Sequence, residues 1–308
     1  MQKNIDKSII FLDKFVAVPT WSWLGLQPHD ALVAVNSSAT QVQIDKKIPR
    51  LITYRISDLS VDNSGLATIN LQLVLAPLAS VCLLLDFGAL DKLEKIKSVF
   101  CCLKSELPAH AQLRVGICVH AGSRQNVSII GQWRLQRDSQ LELAGMYTGD
   151  GKVSDRQFVF LAAPRAHASV QTFYDSGGGQ IDNDYQIVHA SSQTRSQINT
   201  DGIIRTNGQK TWRATIDFRA GSRGSQGSES ENVLVLGQAG SNKSLPIILT
   251  HEDDIKATHS VSSGRVSDEV ECYASGRGLT REQIEQLLID GKKQKVQGLI
   301  DQWSQTKG

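Results

Sequence analysis

From Gln112 to about Thr258 the chain is divided into short segments in which apolar and polar residues alternate. Examples are "QLRVGICVHA", "NVSIIGQWRL", "QLELAGMY", "RQFVFLAA", "TWRATIDF", "ENVLVLG" and "LPIILT". A period of two residues is the pattern of a strand with one face covered, and Gly, Ser, Asn and Asp clusters separate one segment from the next. The stretches "SGGGQ" (176–180) and "GSRGSQGSESEN" (221–232) read as long turns. No helical pattern interrupts the series. Many short strands without a single repeated motif are compatible with a sandwich, a barrel or a β-helical solenoid.

Helical patterns flank this region. "GALDKLEKIKSVFCCLKSELP" sets Leu90, Leu93, Ile96, Phe100 and Leu103 on one stripe and stops before Pro108, so residues 1–108 read as a mixed α/β region. Its opening, "MQKNIDKSIIFLDKFVAVPTW", reads as a short amphipathic helix, because Asp6, Asp13 and Lys14 interrupt any signal-peptide core. After a β core over 109–272, residues 273–308 return to helix. Thr280 and Gln283 form a capping box. Ile284, Leu287 and Leu288, then Val296, Leu299, Ile300 and Trp303, recur at helical spacing in two short helices broken near Gly291. Such a stripe either folds back on its own domain or docks on a partner.

Composition removes several classes. A net charge of +2 over 308 residues writes no attraction for nucleic acid. The apolar run "LQLVLAPLASVCLLL" is broken by Gln72, Pro77 and Ser80 and falls short of a membrane span, so a cytoplasmic protein is expected. Cys82, Cys101, Cys102, Cys118 and Cys272 lack CxxC spacing and read as buried, reduced thiols. "GQAGSNKS" (237–244) imitates a phosphate-binding loop, but Asn242 replaces a required glycine and the strand-like "LPIILT" follows where a helix is needed. There is no G-x-S-x-G elbow. His29, His110, His120, His167 and His189 stand alone and read as ordinary surface or part-buried imidazoles. "HEDDIKATHS" (251–260) concentrates two histidines, a Glu and two Asp, and spacing alone leaves open a metal site, an acid/base site or a polar turn.

Three motifs then occur in order: "TRSQIN", "PIILTHEDDIKATHSVSSGRVSDE" and "YASGRGLTREQIEQLLIDG". Together the run from 187 to 291 resembles the shared core of the SufB/SufD proteins of iron-sulfur cluster assembly, with weaker similarity back to "LELAGMYTGDG" at 141. The resemblance implies a right-handed parallel β-helix for the centre and a C-terminal helical segment that binds a separate SufC-type ATPase. Ile284, Leu287, Leu288, Val296, Leu299 and Ile300 would be the docking residues. It implies pairing with a SufB-type scaffold, or with a second copy, across the late strands, with Glu231, Val233, Val235 and His259 at the dimer interface.

Within that resemblance the chain is SufD-like. Where SufB carries a functional cysteine, aligned on "NVLVLG", this chain has Glu231, and a carboxylate cannot carry persulfide sulfur. His259 falls on the late histidine of SufD proteins, with Ser260 replacing the glycine that follows it. The resemblance therefore makes His259 the candidate ligand for iron or a cluster at a subunit interface, with no firmly bound cofactor and no catalytic residue. The plain alternative is a His259 that closes a turn by hydrogen bonding. Cys272 reads as a packed thiol, and "HEDD" as a solvated turn between coils. A second reading keeps the fold and the ATPase docking but has lost cluster chemistry. A hydrolase built on "HEDD" is disfavoured, because successive carboxylates on a strand point in alternate directions.

Overall fold

The computed structural model describes residues 40–44 and 50–305, so the amphipathic helix expected in the first 21 residues lies outside the described residues. Among the described residues sixteen strands, from β1 (Thr40–Ile44) to β16 (Ile255–Gly264), alternate between two parallel eight-stranded sheets. Odd-numbered strands form one sheet, A, and even-numbered strands the other, B. Each strand pairs with the strand one coil earlier and one coil later. His167↔Arg195 joins β10 (His167–Asp175) to β12 (Arg195–Ile204), and Gln180↔Gln209 joins β11 (Gln180–His189) to β13 (Gln209–Phe218). The result is a parallel β-solenoid of about eight turns. All-parallel pairing rules out an antiparallel sandwich, and among the described residues the two sheets do not join to close a barrel.

One corner of the coil is built from residues in the left-handed region, one per turn. Leu78, His110, Asp138, Arg165 and Gln193 have φ between 55° and 65°, and Gly224 continues the column at 71°. The amide of each donates to the next coil: Leu78 to the Ala109 carbonyl, His110 to Arg137, Asp138 to Pro164, Arg165 to Ser192, Gln193 to Arg223. Interlocked hydrogen bonds offset the steric cost that a non-glycine residue meets there.

The helix expected over 88–108 is absent. Leu90–Lys92 form a single 3-10 turn and Ser98–Leu107 form strand β5. Val99, Cys101 and Leu103 point into the core with period two. Pairing with β3 (Leu66–Leu75) and β7 (Asn126–Leu135) satisfies the backbone of β5 on both edges, and that tertiary term overrides the local helical stripe. The line at 108/109 is thus no architectural boundary, since β3 and β5 are coils of the same solenoid. The turn expected over 221–232 is likewise cut short: β14 occupies Ser225–Val235.

At the C-terminus, α1 (Asp268–Ser275) starts at Ser267, whose hydroxyl accepts from the Val270 amide. Helix α2 (Arg281–Ser304) starts at Thr280 with both bonds of the expected capping box. It runs unbroken through Gly291, correcting the expected pair of helices. An interior glycine costs about 1 kcal/mol. That is outweighed because Ile289, Val296, Ile300 and Trp303 bury against Leu84, Ala144, Phe173, Ile203 and Leu234 on the outer face of sheet B. Lys292 ties the helix down through Asp201, 3.2 Å away. The stripe therefore folds back on its own domain. Ile284, Val296 and Ile300 are covered within the chain and are not surface docking residues; Leu288 and Leu299 are half-buried, and Leu287 is 59% exposed. Of the thiols, Cys82 and Cys101 are buried, Cys102 and Cys118 half-buried, and Cys272 stands exposed rather than packed.

Close contact between coils also decides residue size. Gly202 pairs with Tyr174 on the coil before it, and a Cβ there would lie 2.0 Å from the Tyr174 ring. Gly202→Ala must displace a fully buried aromatic, and thermal unfolding should report a loss of about 1–3 kcal/mol. An unchanged melting temperature would mean that the ring moves freely.

Candidate functional site at the open end of the solenoid

The interior changes character along its axis. One inward column of sheet A reads Ile69, Cys101, Ile129, Asp155, Asn183, Trp212, Ser244 from first coil to last. A facing column of sheet B reads Val115, Leu143, Val170, Ile198, Glu229, His259. The early coils are filled with aliphatic side chains, and polar groups take over from β9 (Lys152–Leu161) onward. A buried polar group is tolerated only when hydrogen-bonded. Asp155 meets this condition with Tyr147 Oη at 2.6 Å, Tyr185 Oη at 3.1 Å and Gln157 Nε2 at 2.6 Å, all donating to it. Burial still raises its pKa above the ordinary carboxylate value, with those three bonds opposing. Trp133 donates to Gln157 at 2.8 Å and Trp212 to Thr200 at 3.0 Å.

Closer to the end, β14 carries Glu229 and Glu231 on its inward face, because "SESEN" continues the period-two alternation. Glu231 accepts from Lys210 Nζ at 2.8 Å, Ser244 Oγ at 2.6 Å and Tyr174 Oη at 3.0 Å, and neither side chain of the Lys210–Glu231 pair has any exposure. Burial pulls the Lys210 ammonium pKa down, with Glu231 opposing. Three of the expected interface residues are thereby relocated. Glu231 and Val233 are sealed inside the coil, and Val235 is half-buried against the same core.

His259 is different. Among the described residues, strands β15 (Ser241–Thr250) and β16 are the last of their sheets and pair on one side only. Among those residues nothing is stacked on the inward positions of the final coil. The His259 side chain is 55% exposed, with Nδ1 4.0 Å from Glu229 Oε1 on the coil beneath. Glu229 is fully covered, neither of its oxygens has a side-chain hydrogen-bond partner, and burial pushes its pKa up to about 8 with the Ile247 backbone amide opposing. Together, an exposed imidazole, a covered carboxylate and an unpaired strand edge present donors for a cation and a surface for a second sheet. Among the described residues no group of three or more His, Cys, Asp or Glu could hold a metal ion.

"HEDD" forms the turn from β15 to β16, as expected. Glu252 accepts from the Gly221 amide at 3.1 Å and Asp254 pairs with Arg223 at 3.0 Å, so these carboxylates tie surface turns together. Residues 237–240 form a turn and 241–244 are the start of β15, without the helix a phosphate loop requires. Glu229, Lys210 and Tyr174 were missed in the sequence; the alternation in "SESEN" was the signal for the first of them.

The fold and its open polar end define a parallel β-solenoid protein with a helix strapped across the back of one sheet. The family described as "SUF system FeS cluster assembly, SufBD core domain" matches residues 68–292, and the chain belongs to this family. It is 26% identical over 156 residues to the iron-sulfur cluster assembly protein SufD of Bacillus subtilis, covering 50% of this chain and 36% of that protein. A SufBD family protein of Staphylococcus saprophyticus is 22% identical over 190 residues, 58% of this chain and 41% of the relative. One from Mycobacterium leprae is 24% identical over 134 residues, 43% of this chain and 15% of the relative. The chain thus spans less than half the length of these relatives. It is SufD-like at low identity. Among the described residues no helix is long and apolar enough to cross a membrane.

Proposed function

We propose that the chain is a non-catalytic, SufD-like subunit of a cytoplasmic cluster-assembly complex. Its open last coil pairs with a SufB-type scaffold or with a second copy, and iron or a cluster passes that junction as cargo rather than as a resident cofactor. The observation that carries this reading is the edge of β15 and β16, unpaired among the described residues, with His259 standing over Glu229. An uncovered edge is a template for another sheet, and proteins normally cover such edges. A dimer is therefore expected by light scattering at tens of micromolar protein, and a strict monomer that also fails to bind a SufB-type scaffold would defeat the proposal. His259→Ala should lower the iron content of the assembled complex while subunit stoichiometry and melting temperature hold.

A SufC-type ATPase would dock on the outer side of the C-terminal helices. Leu287, Val270 and Tyr273 are exposed there, with Arg277 stacked 3.7 Å from the Tyr273 ring. Leu287→Asp should abolish co-purification with a co-expressed ATPase and leave thermal stability within about 0.5 kcal/mol, as exposed substitutions do. Ile300→Asp, buried under the helix, should instead lower stability by several kcal/mol. Equal effects of the two on stability, or full binding by Leu287→Asp, would remove the docking assignment.

A second reading, an interaction protein that keeps ATPase docking without cluster chemistry, draws on Glu231. Where SufB has its functional cysteine, this carboxylate is committed to an internal ion pair. Normal iron loading of a complex carrying His259→Ala would favour it.

A further inference from the structure

Among the described residues, Glu229 is the interior carboxylate with the least compensation: only the Ile247 backbone amide opposes its burial, and no side chain hydrogen-bonds to it. Asp155 has three side-chain donors and Glu231 has three, whereas both Glu229 oxygens are covered and have no side-chain donor. Protonation would not resolve this, since a carboxylic acid still carries a donor and an acceptor that need partners. The coil beneath offers the aliphatic Ile198, and on its own strand Glu231 is held by Lys210. The polar group on its remaining side is His259, toward the open end, with 4.0 Å between the facing atoms. That gap exceeds a hydrogen bond and leaves room for the side chains to close on a shared ion. A buried carboxylate without a charged partner costs several kcal/mol, so its retention points to a positive ligand that enters from the end of the coil.

We propose that Glu229 supplies, with His259, the two protein donors of a half-site for a divalent first-row transition metal, ferrous iron being the expected occupant. This rests on the reading that the open coil handles iron. One imidazole nitrogen and one carboxylate oxygen suit ions of intermediate softness and disfavour magnesium or calcium, which take oxygen alone. With two donors the chain holds the ion weakly, and water or the partner across the edge completes the shell. The pair thus takes an ion up and releases it again. Glu229 both neutralises half of the ion's charge and fixes its depth in the coil.

The test uses the whole chain under anaerobic conditions, titrated with ferrous iron and, as a coloured substitute, with cobalt(II). Wild type should bind one ion per chain with the absorption of mixed nitrogen and oxygen ligation. Glu229→Gln, which keeps shape and removes charge, should weaken binding about tenfold or more, and His259→Ala comparably. The double variant should be little worse than either single, because both donors serve one ion. If Glu229→Gln disturbs folding, Glu229→Asp keeps the carboxylate one methylene back and should fold and bind more weakly than wild type. Wild-type affinity in a folded Glu229→Gln or Glu229→Asp protein overturns the inference. Loss of binding with His259→Ala alone would then leave the iron role of His259 standing and remove only Glu229. No binding by wild type, or equal binding by all variants, overturns both. Tighter binding of magnesium than of cobalt(II) by the wild-type chain would also overturn it.

Discussion

Glu231→Leu should destabilise the protein by about 3–5 kcal/mol, measured by urea or thermal unfolding, the usual penalty for removing one member of a buried ion pair. The substitution leaves the Lys210 ammonium without its counter-charge where neither side chain touches solvent, and strips Tyr174 and Ser244 of their shared acceptor. Lys210→Met in the same background should restore most of the loss, since replacing both charges by apolar groups of similar size is often neutral. Had Glu231 stood at a dimer interface, the same change would leave the melting temperature intact and reduce association. The two outcomes are easily separated by unfolding and light scattering on one sample. No recovery in the double variant would mean that the pair sets the geometry of the last coils rather than merely balancing charge.

Acidification should destabilise the chain through His189. Its imidazole is buried, with Nδ1 2.7 Å from Thr194 Oγ1 and Nε2 2.7 Å from Ser196 Oγ, and it stacks on Phe218 at 4.4 Å. Burial lowers its pKa from 6.5 to about 3. The unfolded chain therefore takes up a proton that the folded chain refuses. Stability from this group is complete above pH about 6.5 and is lost progressively as pH falls toward 3, by roughly 4–5 kcal/mol if the full difference is expressed. His189→Gln can keep one of the hydroxyl bonds and has no proton to gain. Its stability profile between pH 7 and pH 4 should be flatter than that of wild type, although its stability at pH 7 will be lower. Parallel profiles for the two proteins would show that the imidazole is not held neutral by the core.

These two predictions concern the polar interior, the part that the sequence conveyed least. Alternation in "TWRATIDF" or "NVSIIGQWRL" identified strands, because inward burial leaves a period-two trace. Alternation does not say what the inward groups bond to. Lys210 and Tyr174 carry no sign of an internal partner in their segments, and Glu229 and Glu231 lie in a Gly/Ser-rich run read as a turn. Only stacking of coils brings Lys210, Glu231 and Ser244, at 21 and 13 residues' separation, within one cage.

The repeat of the coil itself was written in the chain without being conspicuous. "PLAS", "PAHAQ", "RDSQ", "PRAHA" and "SQTRS" sit at the same corner of successive turns, and Leu78, His110, Asp138, Arg165 and Gln193 take the left-handed position that glycine would advertise. Residues so varied show no motif, because the interlocking hydrogen bonds between coils, not the local residue, hold that conformation.

By itself, the sequence determined that this protein is built of short one-face-buried strands, that it has the three motifs of the SufBD core, that a capped helix begins at Thr280, and that "HEDD" is a turn. Those properties are local, set by side-chain period and capping chemistry within a few residues. The tertiary structure decided the rest: that "SVFCCLKSEL" is strand and not helix, that the helix stays whole through Gly291, that Val296 and Ile300 cover their own sheet, and that Glu231 lies inside while His259 stands at an open end. Each of these depends on what is stacked above and below a residue roughly one coil away, and a free energy supplied by neighbours that distant leaves no mark in the local pattern.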